Sequence, residues 1–316
     1  TWLKSRSGGN DHQLYDVVRG VTKYLRAESN DAEGTAATGL TAFNTDGYTL
    51  GSAGTTNNNS ANMCSWNWKA GNSAGSSNTD GTINTTSTSV NTTAGFSISK
   101  YTGTGANATV GHGLGVAPKA ILMKNLDTTS NWIVYHHGIG NTKAVYLNDT
   151  SAQDTSSVFF NDTTPTSTVF SLGNSNANAN GDACVAYCFA EKLGFSKFGY
   201  YQGNGSTNGP MIYTGFKPGL VITKRVETAA AWIMMDNKRP TVNSVSIELN
   251  PINALFEANT SSAEASSSSY NVDYLSNGFK IRNTNNVFNN SSGSYIYMAF
   301  AANPLVSSNG VPATAR

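Results

Sequence analysis

Trp132-Ile133-Val134-Tyr135-His136 stands eight residues after Lys124, and the same arrangement is written twice more. His12-Gln13-Leu14-Tyr15-Asp16 stands eight residues after Lys4, and Trp232-Ile233-Met234-Met235-Asp236 eight after Lys224. The register extends both ways from this anchor. Pro118 and Pro218 precede the second and third lysines by six residues, each closing a Gly-containing turn (Gly115-Val-Ala-Pro118, Gly215-Phe-Lys-Pro218). Downstream, Gly47-Tyr48-Thr49-Leu50-Gly51, Val169-Phe170-Ser171-Leu172-Gly173 and Gly278-Phe279-Lys280-Ile281 read as one strand written three times. Each copy then ends on a strand: Cys64-Ser-Trp66-Asn-Trp68, Cys184-Val-Ala-Tyr187-Cys-Phe189 and Ile296-Tyr-Met298-Ala-Phe300. Residues two apart on a strand share a face, so each aromatic or Met pair lines one side. Two copies restart alike, at Gly95-Phe96-Ser97 through Tyr101-Thr-Gly103-Thr-Gly105 and at Gly194-Phe195-Ser196 through Tyr201-Gln-Gly203-Asn-Gly205.

Landmarks recurring in one order are the mark of an internal repeat. A period of about 100–120 residues is too long for a solenoid unit or propeller blade and suits a sandwich-sized domain. The expected fold is therefore all-β, with tandem antiparallel β-sandwich or jelly-roll repeats. The boundaries read as 1–70 for a first repeat, N-terminally incomplete, 71–94 for a Ser/Thr/Asn/Gly-rich linker or loop, 95–193 for a second repeat and 194–316 for a third.

Within the second repeat, strand candidates fall at Phe96–Tyr101, Ala108–Val110, Lys119–Lys124, Trp132–His136, Ala144–Leu147, Val158–Phe160, Val169–Leu172 and Cys184–Phe189, separated by Gly-Asn, Asn-Asp and Asn-Ser turn signals. No window carries a clean helical stripe; Val17–Glu33 is the best helical candidate. Counterparts of the Phe96–Pro118 section are missing before Trp2. Trp2-Leu3-Lys4 is accordingly expected to pair with a strand from outside residues 1–94 or to lie at an exposed edge, the domain being completed upstream or by another chain.

Charged residues make up 12% of the 316, about half the ordinary share. Net charge is +1 and the basic residues are scattered, so no patch suited to a phosphate backbone is present and no nucleic-acid partner is expected. Apolar runs such as Ala229 to Met235 fall far short of the roughly 20 residues that span a bilayer, and no membrane insertion is expected. Three cysteines, Cys64, Cys184 and Cys188, are too few for a four-cysteine zinc site, and Cys184 and Cys188 on one strand are too far apart to bridge. They read as thiols behaving like small apolar residues.

The chemistry-bearing candidates each have a plainer account. His136 and His137 are adjacent on a strand and point to opposite faces, poorly placed for one metal. Asp16 and Asp236 hold the His136 position in the other copies, which reads as a variable polar surface site. His112 lies in a Gly-rich turn without the strand-to-helix context of a phosphate cradle. Asn44-Thr-Asp-Gly47 and Asn78-Thr-Asp-Gly81 resemble fragments of calcium loops but read more simply as turns. The acidic residues are few and read as unrepeated between copies, so no converging pair for glycoside hydrolysis is legible. Trp132, Trp232, Phe170 and Phe279 hold matched positions and read as core. Tyr200, Tyr201 and Tyr270 read as loop aromatics able to stack on sugar rings. No catalytic residue, metal ligand or cofactor is expected.

Tyr101-Thr-Gly-Thr-Gly, Gly113-Leu-Gly-Val-Ala-Pro118, Asn131-Trp-Ile-Val-Tyr135, Tyr187-Cys-Phe-Ala-Glu191, Gly203-Asn-Gly-Ser-Thr207-Asn-Gly-Pro210 and Leu275-Ser-Asn-Gly-Phe279 together resemble a repeat domain of unknown function found in large virion proteins of marine tailed phages. Members are often labelled tail-fibre or lectin-like (concanavalin-like) proteins. The resemblance implies a virion structural protein at the particle surface, a tail fibre or spike contributing to attachment to host glycans, or a capsid decoration protein. It implies partners among other copies of the chain, as a homo-oligomer such as a trimer, and among other virion proteins. A glycan depolymerase on the same scaffold is the enzymatic counter-reading.

Overall fold

The computed structural model describes residues 1–239 and 250–303. The fold is all-β, built of several antiparallel sheets. Two compact units form: unit one is Thr1–Asp149, Asp154–Ala190 and Asn259–Ala263, and unit two is Thr150–Gln153, Glu191–Ala258 and Glu264–Arg316.

Residues 1–70 contribute β1 (Trp2–Ser5), β2 (Gln13–Leu14), β3 (Lys23–Tyr24), β4 (Gly34–Thr35), β5 (Leu40–Phe43), β6 (Tyr48–Leu50) and β7 (Met63–Trp66). The sheets are β2-β1-β7, β3-β4 and β5-β6. Here the sequence expectation for Trp2-Leu3-Lys4 fails. β1 is the central strand, paired on one side with β2 and on the other with β7, and all four of its residues are buried. The edge is β7. Val17–Glu33 holds turns and β3 in place of a helix. Gly20 and Thr22 sit at φ +93° and +66°, which no α-helix passes through.

The rest of unit one brings β8 (Ser87–Asn91), β9 (Phe96–Thr102), β10 (Ala108–Gly111), β11 (Ala120–Asn125), β12 (Ile133–His136), β13 (Lys143–Tyr146), β14 (Asp154–Thr155), β15 (Val169–Leu172) and β16 (Ala183–Phe189). A seven-stranded sheet runs β14-β13-β12-β11-β16-β9-β8, and β10 pairs with β15 separately. Val110, Phe170 and Leu172 from the small sheet share one buried cluster with Ile121, Met123, Ile133 and Tyr135 from the large one. Val158–Phe160 is part of a one-turn helix, α1 (Ser157–Phe160), instead of a strand. The Ser156 side chain caps it by accepting the Val158 N–H, and Phe159 and Phe160 are buried beneath. The 71–94 stretch is more than a linker: β8 edges the large sheet and Ile83 is buried in its core.

Unit two carries β17 (Ser196–Gln202), β18 (Met211–Tyr213), β19 (Pro218–Arg225), β20 (Trp232–Asp236), β21 (Ala254–Glu257), β22 (Ala265–Ser266), β23 (Val272–Leu275), β24 (Gly278–Ile281) and β25 (Ser294–Ala301). Its sheets run β17-β25-β19-β20-β21-β22 and β18-β24-β23. The six-strand order matches the seven-strand order strand for strand, and among the described residues no strand takes the place of β8. Phe96 faces Phe189 as Ser196 faces Phe300. The strand register is therefore set by Tyr101 and Tyr201, one residue away from the Gly-Phe-Ser match read in the sequence. Trp132, Trp232, Phe170 and Phe279 are all within 1% of full burial. Asn44 to Gly47 is the hairpin turn joining β5 and β6, closed by Asn44 N–H on Gly47 O.

Candidate functional site

The lysine that anchors each copy is fully buried in all three. A buried ammonium must find acceptors, because its desolvation otherwise costs several kcal/mol. Lys124 Nζ donates to Asn125 O at 3.1 Å, Ser130 Oγ at 3.4 Å and Asn30 O at 3.2 Å. Lys224 Nζ donates to Ala230 O at 2.8 Å and Thr150 O at 3.0 Å. Lys4 Nζ donates to Ser5 O at 3.0 Å, Gly8 O at 3.4 Å and Ser261 O at 3.2 Å. In each case one carbonyl comes from a loop outside the lysine's own copy. Thr150 lies in the short stretch that belongs to unit two, and Ser261 in the one that belongs to unit one. The same loops are pinned by backbone bonds: Ser130 N to Asn30 O, Glu33 N to Leu126 O, Ala230 N to Thr150 O and Gln153 N to Val226 O. Burial lowers the Lys124 ammonium to about 8 and lowers Lys4 as well.

A second buried polar position follows, corrected from the surface site read in the sequence. Asp16, His136 and Asp236 are at most 5% exposed. Asp236 accepts from Arg239 Nε at 2.7 Å, and Arg239 Nη1 reaches Glu264 at 2.7 Å, with the guanidinium 4.5 Å from the Phe256 ring centre. Asp16 pairs likewise with Arg19, which reaches Glu33 at 3.2 Å. The carboxylates are thus repeated, contrary to the sequence reading. The signal was present as Asp-x-x-Arg at 16–19 and 236–239. Burial by itself would raise the Asp16 carboxyl; Arg19 and the Tyr187 hydroxyl, which donates to Asp16 Oδ2 at 2.6 Å, outweigh it and hold it below the usual range. In the second copy His136 and Ile139 stand where the others have Asp and Arg, and His136 Nδ1 accepts the Gly138 N–H.

These arrangements hold chain segments together. His112, read as part of a mobile turn, is buried, contacts Thr166 O through Nε2 and accepts the Leu114 N–H; burial lowers its pKa. Cys184 and Cys188 are buried and Cys64 half-buried; burial raises the Cys184 thiol to about 12. Among the described residues no group of three or more His, Cys, Asp or Glu is placed to hold a metal ion.

The sequence-read stacking residues separate. Tyr201 is buried, stacked on Tyr295 at 4.8 Å with its hydroxyl on Phe288 O, and cannot receive a sugar ring. Tyr270 is half-buried against Phe288. Tyr200 is 46% exposed on β17, next to Gln202 on the same open side. Sequence reasoning missed Tyr213, 65% exposed on β18, and Met211 beside it. Only the period-2 pattern of Met-Ile-Tyr, with Ile212 inward, could have found them.

The chain belongs to the family described as Domain of unknown function (DUF7483), whose model matches residues 1–304. No curated protein and no solved structure matches it.

Proposed function

We propose that this member of the family is a non-catalytic structural protein of a phage particle: a tail fibre or spike built of tandem β-sandwich repeats that contributes to attachment to host-surface glycans. One observation carries the reading. The polar groups matched between copies, the lysines and the Asp-Arg pairs, are buried and engaged with the chain's own carbonyls and carboxylates. Repetition here preserves architecture. What remains for an outside ligand is a set of exposed aromatic faces, Tyr200 and Tyr213 foremost, which suit stacking. Weak sites of this kind gain through multiplicity on a particle carrying many copies.

A glycan array joined to a turnover assay on host polysaccharide tests the reading. The expected result is binding weakened by Tyr200→Ala or Tyr213→Ala without release of reducing ends. Turnover abolished by a single Asp or Glu substitution would establish a depolymerase instead. Antibody labelling of intact particles is expected on the tail; label on the shell would make the chain a capsid decoration protein.

A further inference from the structure

The small sheets of the second and third copies are clad differently along one edge. The matched Phe170 and Phe279 face Val110 of β10 and Ile212 of β18. Thr109 therefore corresponds to Met211, and Gly111 to Tyr213. In the second copy the far side of β10 is taken by the chain itself. Ile83 bridges Val110 in parallel, the Ile83 N–H donates to Thr109 O at 3.0 Å, and the Thr109 N–H donates to Thr82 Oγ1 at 2.8 Å. The same segment lies against Gly111, where a Cβ would collide with Asn78.

The third copy has the edge without the cover. Residues 67–95 separate β7 from β9 and supply the covering segment, whereas residues 190–195 are all that separates β16 from β17. Among the described residues β18 pairs with β24 alone. The Ile281 N–H donates to Pro210 O and the Thr214 N–H to Asn277 O. The alternation of an antiparallel ladder then turns Pro210, Ile212 and Thr214 toward β24, and turns the main-chain groups of Met211 and Tyr213 to the open edge. Those of Met211 are the counterparts of the groups that Thr109 has satisfied. Ile212 points into the core, while Met211 is 40% and Tyr213 65% exposed on the outer face. None of the three carries a charge, the usual guard against edge-to-edge pairing.

We infer that β18 is the contact strand of a twofold dimer, and that the partner is a second copy of this chain paired antiparallel through its own β18. The row is self-complementary about Ile212. With Ile212 on the axis, the N–H and C=O of Met211 meet the C=O and N–H of Tyr213 in the other chain, and the reciprocal pair forms beyond the axis. The same register sets each Met211 thioether beside a Tyr213 ring, a favourable sulfur–aromatic contact. Such an interface is isologous and closes at two chains. The strand is short, so the pairing is of modest strength and concentration-dependent. Edge pairing keeps Tyr213 on the outer face, and the inference does not depend on glycan binding there or on the particle reading.

Sedimentation equilibrium of the full chain, from micromolar to near-millimolar concentration, is the test, and a monomer–dimer equilibrium is the expected result. Met211→Lys with Tyr213→Lys sets lysine opposite lysine on both sides of the axis and is expected to weaken dimerisation roughly tenfold or more, with Tm unchanged because both positions are exposed. Met211→Glu with Tyr213→Glu is expected to do the same alone, and mixing the two charged chains to restore a heterodimer. Register is read independently by cysteine cross-linking. Paired Cα atoms about 5.5 Å apart lie within disulfide reach. A Met211→Cys chain mixed with a Tyr213→Cys chain is expected to cross-link faster than either chain alone, with the unsubstituted chain as background for the native thiols. A monomer at every concentration overturns the inference, as does a trimer or a dimer indifferent to the lysine pair. Charged chains that stay apart on mixing overturn it too, as does cross-linking no faster in the mixture.

Discussion

The second and third copies share a strand order and differ in what fills it. In the second, Ser99 faces Ala186; in the third the matched pair is Gly199 and Tyr297. Ser99 Oγ donates to Gly111 O and meets Thr88 of β8, so its hydroxyl belongs to a buried polar network that arrives with the covering strand. Among the described residues no such strand lies alongside β17, and the Tyr297 ring lies against the Gly199 Cα. A Cβ on Gly199 would stand 2.6 Å from the Tyr297 hydroxyl and 2.7 Å from ring carbons. The Asp236-Arg239 pair of the third copy is likewise replaced in the second by His136 and Ile139. One backbone plan thus tolerates polar, ionic or aromatic filling, provided each buried group finds its partner locally.

The contrast can be broken most directly at Arg239. Arg239→Met leaves the buried Asp236 and the half-buried Glu264 without this cation and is expected to cost unit two about 3–5 kcal/mol, while Ile139→Met at the matched position costs under about 1 kcal/mol. Denaturant unfolding measures both, and equal losses would mean the cluster is dispensable. Lys124→Met and Lys224→Met should each cost about 2–3 kcal/mol through carbonyls left unpaired, and by similar amounts, since both lysines seal the same kind of loop. A large inequality would show that the shared position does different work in the two copies. Gly199→Ala is expected to cost about 1–3 kcal/mol by overpacking, and Ser99→Ala nearer 1 kcal/mol for its hydrogen bonds. Reversal of that order would remove the account given for the pair.

The most gradual effect, spread over several pH units, concerns the first copy. Asn148 Oδ1 accepts the Trp132 N–H at 2.8 Å, and Glu28 accepts the His12 N–H at 3.2 Å in the matching place. Burial raises the Glu28 carboxyl to about 7. The folded state then holds a proton that the unfolded chain has released, so this stabilisation is full below pH 4.5 and is lost as pH rises through about 7. The slope should stay under about 1.4 kcal/mol per pH unit and vanish in Glu28→Gln. A pH-independent melting temperature for unit one between pH 4.5 and 7 would contradict it.

Much of this was readable from spacing. The lysine-to-strand interval, the paired aromatics of β16 and β25, and seven of the eight strand positions in the second copy follow from period-2 patterning between turn residues. Val158–Phe160 misled because an apolar run so short fits a capped turn as well as a strand. Trp2-Leu3-Lys4 misled because an apolar strand does not announce its neighbours: β7 lies 60 residues away and pairs with it only in space. The burial of Lys4, Lys124 and Lys224 was invisible for the same reason, since the sealing carbonyls of Asn30, Thr150 and Ser261 are main-chain atoms that any residue could supply. Tyr201 looked like its exposed neighbour Tyr200; alternation put the two on opposite faces, and only the inward one found Tyr295.

The bond from Lys4 to Ser261 bears on how the chain is made. On a ribosome β1 emerges long before Ser261, so its ammonium gains that acceptor only after more than 250 further residues have been translated. Birth order and completion order are therefore opposed at this residue. A chain cut off before Asn259 would lack the Ser261 carbonyl at the buried Lys4 ammonium, the kind of defect by which quality-control proteases tell an unfinished chain from a finished one.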